Sequence, residues 1–139
     1  MKHAVIVSGG NINTDFALDF LKKNTDENTL LIAADRGLEF FERTGLVPDI
    51  AVGDFDSLSE SGKKFLETLS NTEIIRLRPE KDDSDTQSAA CLAMDRGMKR
   101  IMILGATGNR VDHLMANFGL LVLGRERGCE IILADPWNY

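Results

Sequence analysis

The chain has 139 residues, which allows one domain with a real core but leaves little room for two. Its 43% hydrophobic and 27% charged content is that of an ordinary globular protein. A formal charge of −6 argues against a sequence-independent grip on nucleic acid, which needs a basic surface.

The first residues, MKHAVIVSGG, carry too short an apolar run for a signal peptide. No apolar run approaches the ~20 residues that span a bilayer, so no membrane partner is expected. Cys91 and Cys129 are far apart and follow no metal-ligand spacing, which reads as two reduced core thiols in a cytoplasmic protein.

Apolar runs rich in Ile, Val and Leu recur along the chain. The first, Ala4–Val7, leads through Ser8-Gly9-Gly10-Asn11 into a helical pattern marked by Phe16, Phe20 and Leu21. The second, Leu30–Ala34, is followed by Asp35-Arg36-Gly37 and a helix marked by Leu38 and Phe41, with Leu46 beyond it. The third, Ile50–Val52, runs into Gly53-Asp54-Phe55-Asp56-Ser57 and a helix marked by Phe65, Leu66 and Leu69. The fourth, Glu73–Leu77, precedes Arg78-Pro79-Glu80-Lys81-Asp82-Asp83-Ser84-Asp85 and a helix marked by Ala89, Leu92 and Ala93. In this fourth run Arg76 alternates with Ile75 and Leu77 and reads as part of a solvated strand face.

The fifth run, Ile101–Leu104, precedes Gly105-Ala106-Thr107-Gly108-Asn109-Arg110-Val111-Asp112-His113. A broad 3.6-residue stripe follows, through Val111, Leu114, Met115, Phe118, Leu121 and Val122. The sixth run is Ile131–Ala134, and Gly45, Gly97 and Gly128 signal helix ends. Most of the runs are continuous rather than alternating, as expected of strands covered on both faces. The alternation predicts an α/β, three-layer, Rossmann-like domain of about six mostly parallel strands with helices on both faces.

Ligands of such sheets bind beyond the carboxyl ends of the strands. Of the 22 acidic residues, Asp35, Asp54, Asp56, Asp82, Asp83, Asp85 and Asp112 all fall on that rim. Singly they have structural explanations. Ser57 with Glu60 and Ser84 with Gln87 form capping boxes, and Asn109 with Asp112 offers a further cap. Asp54, Asp56, Asp82, Asp85 and Asp112 lie beyond three different strands and should converge, a cluster of like charges that needs a counter-cation. Oxygen-only ligands select a hard ion such as Mg²⁺, Mn²⁺ or Ca²⁺. An EF-hand loop is excluded, because neither the third acid nor the required glycine follows Asp54.

The same rim is equipped for phosphate. Gly9-Gly10 and Gly105-x-x-Gly108 let backbone N–H groups approach an anion, and Arg78, Lys81 and Arg110 add positive charge. Metal-bridged phosphates, an arginine and a positioned nucleophile are what phosphoryl transfer requires. His113 serves either as support at the rim or as a ligand contact, whereas His3, at the base of the first strand, reads as structural.

In order along the chain, Ala33-Ala34-Asp35-Arg36-Gly37, Pro48 to Leu58, Lys81-Asp82-Asp83-Ser84-Asp85 and Gly105 to His113 resemble thiamine pyrophosphokinases. The resemblance runs from the first strand to the sixth. It implies a Mg²⁺-dependent transfer of pyrophosphate from ATP to the hydroxyl of thiamine, releasing AMP. By position it makes Asp54, Asp56 and Asp85 the Mg²⁺ carboxylates, with Asp82 in support. Gly9, Gly10, Asp35, Lys81, Gly105, Gly108, Arg110 and Asp112 become nucleotide or phosphate contacts. Asp54, Asp56, Asp82, Asp85, Arg110 and Asp112 form the catalytic set.

Arg36 and Asn109 depart from the family pattern, standing where a small residue or glycine is usual. The resemblance also implies a second, mostly β domain that helps to bind thiamine and to form a homodimer. That domain is expected to be missing, leaving residues 1–139 as the catalytic α/β domain.

Two other readings remain open. A haloacid-dehalogenase-like phosphatase would use Asp54 of the D-x-D as nucleophile, although that motif belongs after the first strand of such a core rather than the third. A nucleotide-binding module would keep the metal site without turnover.

Overall fold

The computed structural model describes residues 3–8, 14–26, 28–53, 55, 58–76, 85–104, 119 and 121–134, with backbone alone at 35, 85, 86, 133 and 134. Six strands form one sheet: β1 (His3–Val7), β2 (Leu30–Ala34), β3 (Ile50–Gly53), β4 (Glu73–Arg76), β5 (Arg100–Leu104) and β6 (Glu130–Ala134). Their order is β4-β3-β2-β1-β5-β6, and every pairing is parallel. The helices are α1 (Thr14–Asn24), α2 (Leu38–Thr44), α3 (Glu60–Thr68) and α4 (Asp85–Asp95), followed by α5, helical at 119 and over 121–126. A short 3₁₀ turn, Asp35–Gly37, joins β2 to α2.

Strand order and handedness decide where the helices lie. The chain steps from β1 to β4 in one direction, then crosses back over β1 and continues outward through β5 and β6. Right-handed crossovers therefore put α1, α2 and α3 on one face and α4 and α5 on the other. Each face has its own core. On the first, Phe20, Leu21, Leu38, Phe41 and Leu66 pack on Val5, Val7, Ala33 and Ala51. On the second, Ala89, Ala90 and Ala93 pack on Ile6, Ile32, Ile50, Ile101 and Ile103. Large helix residues meet small strand residues on one face, and the reverse holds on the other, so both layers fill.

β4 differs from expectation. Its residues are exposed except for a half-buried Ile75. The sheet ends there, so a run of strand-forming residues is paired on one side only and is not sandwiched. The glycines behave as read: Gly45, Gly97 and Gly128 have φ of 77°, 86° and 71°, the left-handed conformation of a helix stop. His3 lies at the amino end of β1, where its Nε2 is 2.8 Å from Thr29 Oγ1. Also at the amino edge, the Asp49 carboxylate accepts from Leu31 N at 2.9 Å. Asp49 N–H donates to the Leu31 carbonyl at 2.8 Å, and its own carbonyl accepts from Glu73 N at 3.0 Å. Asp49 thus ties β2, β3 and β4 together on the side away from the acidic rim. Among the described residues no helix is long and apolar enough to cross a membrane.

The start of α3 corrects the predicted cap. Ser59, not Ser57, is the N-cap, and its hydroxyl accepts from Gly62 N at 3.1 Å. In a capping box the third helical residue returns a carboxylate to the cap N–H. Here that residue is Gly62, which has no side chain. Glu39 of α2 takes the role instead, accepting from Ser59 N at 3.3 Å through Oε1 and from Arg36 Nε at 3.4 Å through Oε2. Ser57 lies outside the described residues. The departure at Arg36 thus has a partner, and the chain leaving β3 is tied back to α2 before α3 begins.

Gly37 is required by space rather than by dihedral angle. Its φ is −58°, but an added Cβ would sit 1.9 Å from the Val7 carbonyl oxygen. Gly119, helical and exposed, has nothing within 4 Å of a Cβ. Opposite outcomes follow in urea unfolding. Gly37→Ala is expected to destabilise by ~1–3 kcal/mol through overpacking, and Gly119→Ala to stabilise by ~0.5–1 kcal/mol through helix propensity.

Glu39 predicts a pH dependence. Burial pushes its carboxyl pKa up, but hydrogen bonds from Ser59 and the Arg36 guanidinium outweigh that and hold it below the ordinary value. The folded value is depressed, so its stabilisation is complete above the ordinary glutamate range of about 4.3. It is lost as pH falls through the depressed value. Glu39→Gln is expected to lower stability by roughly 1 kcal/mol at pH 7, the scale of one charged hydrogen bond. The gap to the wild type closes in acid, as read by urea midpoints across that range.

Candidate functional site

The sheet reverses its winding between β1 and β5. The Ser8 N–H extends that pairing one residue past β1, donating to the Leu104 carbonyl at 2.7 Å. Two chains leave in opposite directions from this point, which opens the crevice where open α/β sheets take ligands. The segment after β1 begins with Gly9 and Gly10, and the segment after β5 begins with Gly105. Both predicted phosphate loops therefore start at the switch point.

The third element at this junction is the 3₁₀ turn after β2. Gly37 in this turn lies against Val7 and Ser8, with its hypothetical Cβ 2.6 Å from Val7 C and 3.2 Å from Ser8 N. Asp35, whose backbone opens the turn, is thereby carried on a segment packed against the end of β1. The turn's glycine was legible as part of a motif; its contact with β1 was not.

The next strand end along the rim is that of β3, where Gly53 has φ 149° and Phe55 has φ 65°. Gly53 is paired in register with Arg76, the last residue of β4. The Arg76 guanidinium carbon lies 5.6 Å from the centroid of the Phe55 ring, within cation–π range. Arg76 is exposed, as read from the sequence, but it also covers the aromatic residue of the D-x-D segment. The sequence signal was the arginine at the carboxyl end of a strand beside that motif. Strand order was needed to join the two.

Asp85 is the first residue of α4. That helix packs on β1, β2 and β3. Running antiparallel to the strands, it brings its N-terminus, where the helix dipole favours a carboxylate, to the carboxyl side of the sheet. The predicted start of this helix just after Ser84 is therefore correct. The topology sets the beginning of α4 above the same strand ends that lead into Asp35 and Asp54.

Gly9, Gly10, Asp54, Asp56, Lys81, Asp82, Gly105, Gly108, Arg110 and Asp112 lie outside the described residues, as do Arg78, Asp83, Asn109 and His113. For Asp35 and Asp85 the position in the fold is described, not the side chain. Among the described residues no group of three or more His, Cys, Asp or Glu side chains is placed to hold a metal ion. Neither Cys91 nor Cys129 forms a disulfide, and burial pushes the Cys129 pKa up, away from the reactive thiolate.

Residues 21–133 match the family profile described as "Thiamin pyrophosphokinase, catalytic domain". A thiamine pyrophosphokinase of Bacillus subtilis (strain 168) is 34% identical over 139 residues, covering 100% of this chain and 63% of the relative. A crystal structure of thiamine pyrophosphokinase from Bacillus subtilis superposes with a TM-score of 0.83 at 33% identity, over 97% of this chain and 61% of that one. A thiamin pyrophosphokinase family protein from Enterococcus faecalis gives 0.74 at 34% identity, over 96% and 62%. The chain thus spans less than two thirds of the length of these relatives. With the profile matched across most of its length and the fold shared, the chain belongs to the thiamin pyrophosphokinase catalytic-domain family.

Proposed function

We propose that this chain carries the ATP- and metal-binding part of a thiamine pyrophosphokinase, which moves the pyrophosphoryl group of ATP to the hydroxyl of thiamine. The observation that carries the reading is topological. The segments bearing Gly9-Gly10, Asp35, Asp54-x-Asp56 and Gly105 leave from the adjoining ends of β1, β2, β3 and β5, around the switch point. Homodimerisation of the full-length form belongs to the same proposal and rests on the resemblance, and a cytoplasmic location rests on the reading of Cys91 and Cys129 as reduced thiols.

The donor set fits a hard divalent cation. Asp54, Asp56, Asp82 and Asp85 are all carboxylates, with no imidazole or thiolate among them. Asp54, Asp56 and Asp85 would hold Mg²⁺, with Asp82 in support. When bound, the ion supplies charge neutralisation on the ATP phosphates.

The chain's own groups divide the remaining work. The glycine turns at Gly9-Gly10 and Gly105–Gly108 offer backbone N–H groups to phosphate oxygens. Asp35, Lys81 and Asp112 contact the nucleotide, and Arg110 takes up negative charge developing on the transferred group. The thiamine oxygen forms a bond to the β-phosphorus as the bond to the α,β-bridging oxygen breaks. AMP departs with the electron pair, and an aspartate of the rim accepts the hydroxyl proton.

The test is AMP release from ATP against a panel of hydroxyl acceptors, measured on the longest form of the protein. Release dependent on thiamine and a divalent cation is expected. Asp56→Asn and Asp85→Asn are each expected to lower turnover by ~10²–10³-fold with the fold intact. Near-wild-type turnover in both variants would remove them from the site. A covalent aspartyl-phosphate trapped from a phosphomonoester would sink the kinase reading in favour of the phosphatase. ATP binding without AMP release would leave a binding module.

A further inference from the structure

Among the described residues, Phe55 is the non-glycine with a positive φ. Its φ of 65° is in the left-handed region, where a bulky L-residue is strained. Such strain persists only where the surroundings over-determine it.

Three observations supply that determination. The Phe55 ring is 3% exposed and belongs to the core between the sheet and helices α1, α2 and α3. Its carbonyl accepts from Leu58 N at 3.3 Å, closing the turn toward α3. Arg76 covers the ring from the neighbouring strand, 5.6 Å from its centroid. With Gly53 at φ 149°, positive dihedrals stand on either side of Asp54 in the sequence. A solvent-exposed loop has no need of a buried aromatic held in this conformation.

We propose that Phe55 is a positioning residue. Its ring, seated in the core and clamped by Arg76, fixes the turn that carries Asp54 and Asp56 and so preorganises the pair for a divalent cation. This rests on the metal reading given under Proposed function. The ring touches neither metal nor substrate; it acts through its two sequence neighbours. Anchoring of ligand-bearing segments is what gives supporting residues their effect on metal affinity, typically ~10–100-fold.

Mn²⁺ titration of the chain with an unhydrolysed ATP analogue, alongside thermal unfolding, separates positioning from ordinary packing. Phe55→Gly tolerates the positive φ but removes the anchor, and is expected to weaken Mn²⁺ binding by about tenfold or more. Phe55→Leu keeps an apolar anchor and is expected to stay within about threefold of the wild type. Leu66→Ala thins the same core from α3. It is expected to lower the unfolding midpoint while leaving Mn²⁺ affinity unchanged.

Arg76→Gln is the surface variant that decides the matter if Phe55→Gly does not fold. Removing a positive charge near a cation site would by itself tighten Mn²⁺ binding. Loss of the clamp predicts the opposite, a weakening of about two- to fivefold. The proposal is overturned if Arg76→Gln binds Mn²⁺ as tightly as the wild type or tighter. It is equally overturned if Phe55→Gly folds and retains wild-type affinity, or if Leu66→Ala loses as much as Phe55→Gly. A wild-type chain that takes no Mn²⁺ overturns the metal reading itself, an outcome distinct from the others.

Discussion

β1 is paired in parallel with β2 on one side and β5 on the other, and much of the molecule follows from that. The β1–β2 pairing starts a run outward to β4, and the β5 pairing starts the opposite run to β6. With right-handed crossovers, the first run places its helices on one face and the second places them on the other. The carboxyl end of β1 is then where the two runs diverge. Ser8 N–H to the Leu104 carbonyl and Gly37 against Val7 hold three chain segments together at that divergence. A crevice with rigid walls is a consequence of winding before any side chain is considered.

The two cores give that frame its asymmetry. Alanines on α4 allow its axis to approach a sheet face of isoleucines, while phenylalanines from α1 and α2 fill the space over Val5, Val7, Ala33 and Ala51. Close packing of α4 across β1, β2 and β3 fixes where its first residue stands, and that residue is Asp85. Volume complementarity in the core thus reaches the rim through a single helix. The other face reaches it through α2. Glu39 leaves α2 to cap α3 at Ser59 and so ties down the chain that has just passed the D-x-D segment.

What the sequence revealed, and what it did not, follows the range of the interactions. Strands read as apolar runs, and the stops at Gly45, Gly97 and Gly128 are local consequences of backbone sterics, visible without a fold. The cap of α3 was misplaced at Ser57 because the partner carboxylate comes from Glu39, twenty residues earlier, and not from Glu60. Arg76 read as a solvated strand residue because its stacking on Phe55 depends on β3 and β4 being neighbours. Asp49 falls within the Pro48–Leu58 piece of the resemblance, but its carboxylate stitches strands at the amino edge, away from the strand ends that form the rim. The acids of the rim read as a set because each follows a strand or opens a helix in the sequence. Their mutual geometry lies outside the described residues.

These cases share a logic that bears on the motif as a whole. The piece from Pro48 to Leu58 contains residues with three different tasks. Asp49 serves the amino edge, Ile50 to Gly53 build the strand, and Phe55 anchors the turn beyond it. Asp54, Asp56 and Ser57, between and beyond these, lie outside the described residues. Both cores are closed by other side chains, and the cap of α3 is supplied by Ser59 and Glu39. A strained, core-anchored aromatic between two acids adds stability cost to the turn rather than removing it. Such a cost is retained where the surroundings over-determine it, and the buried, Arg76-covered ring of Phe55 is the physical ground for the proposal that the chemistry of this chain lies at the end of β3.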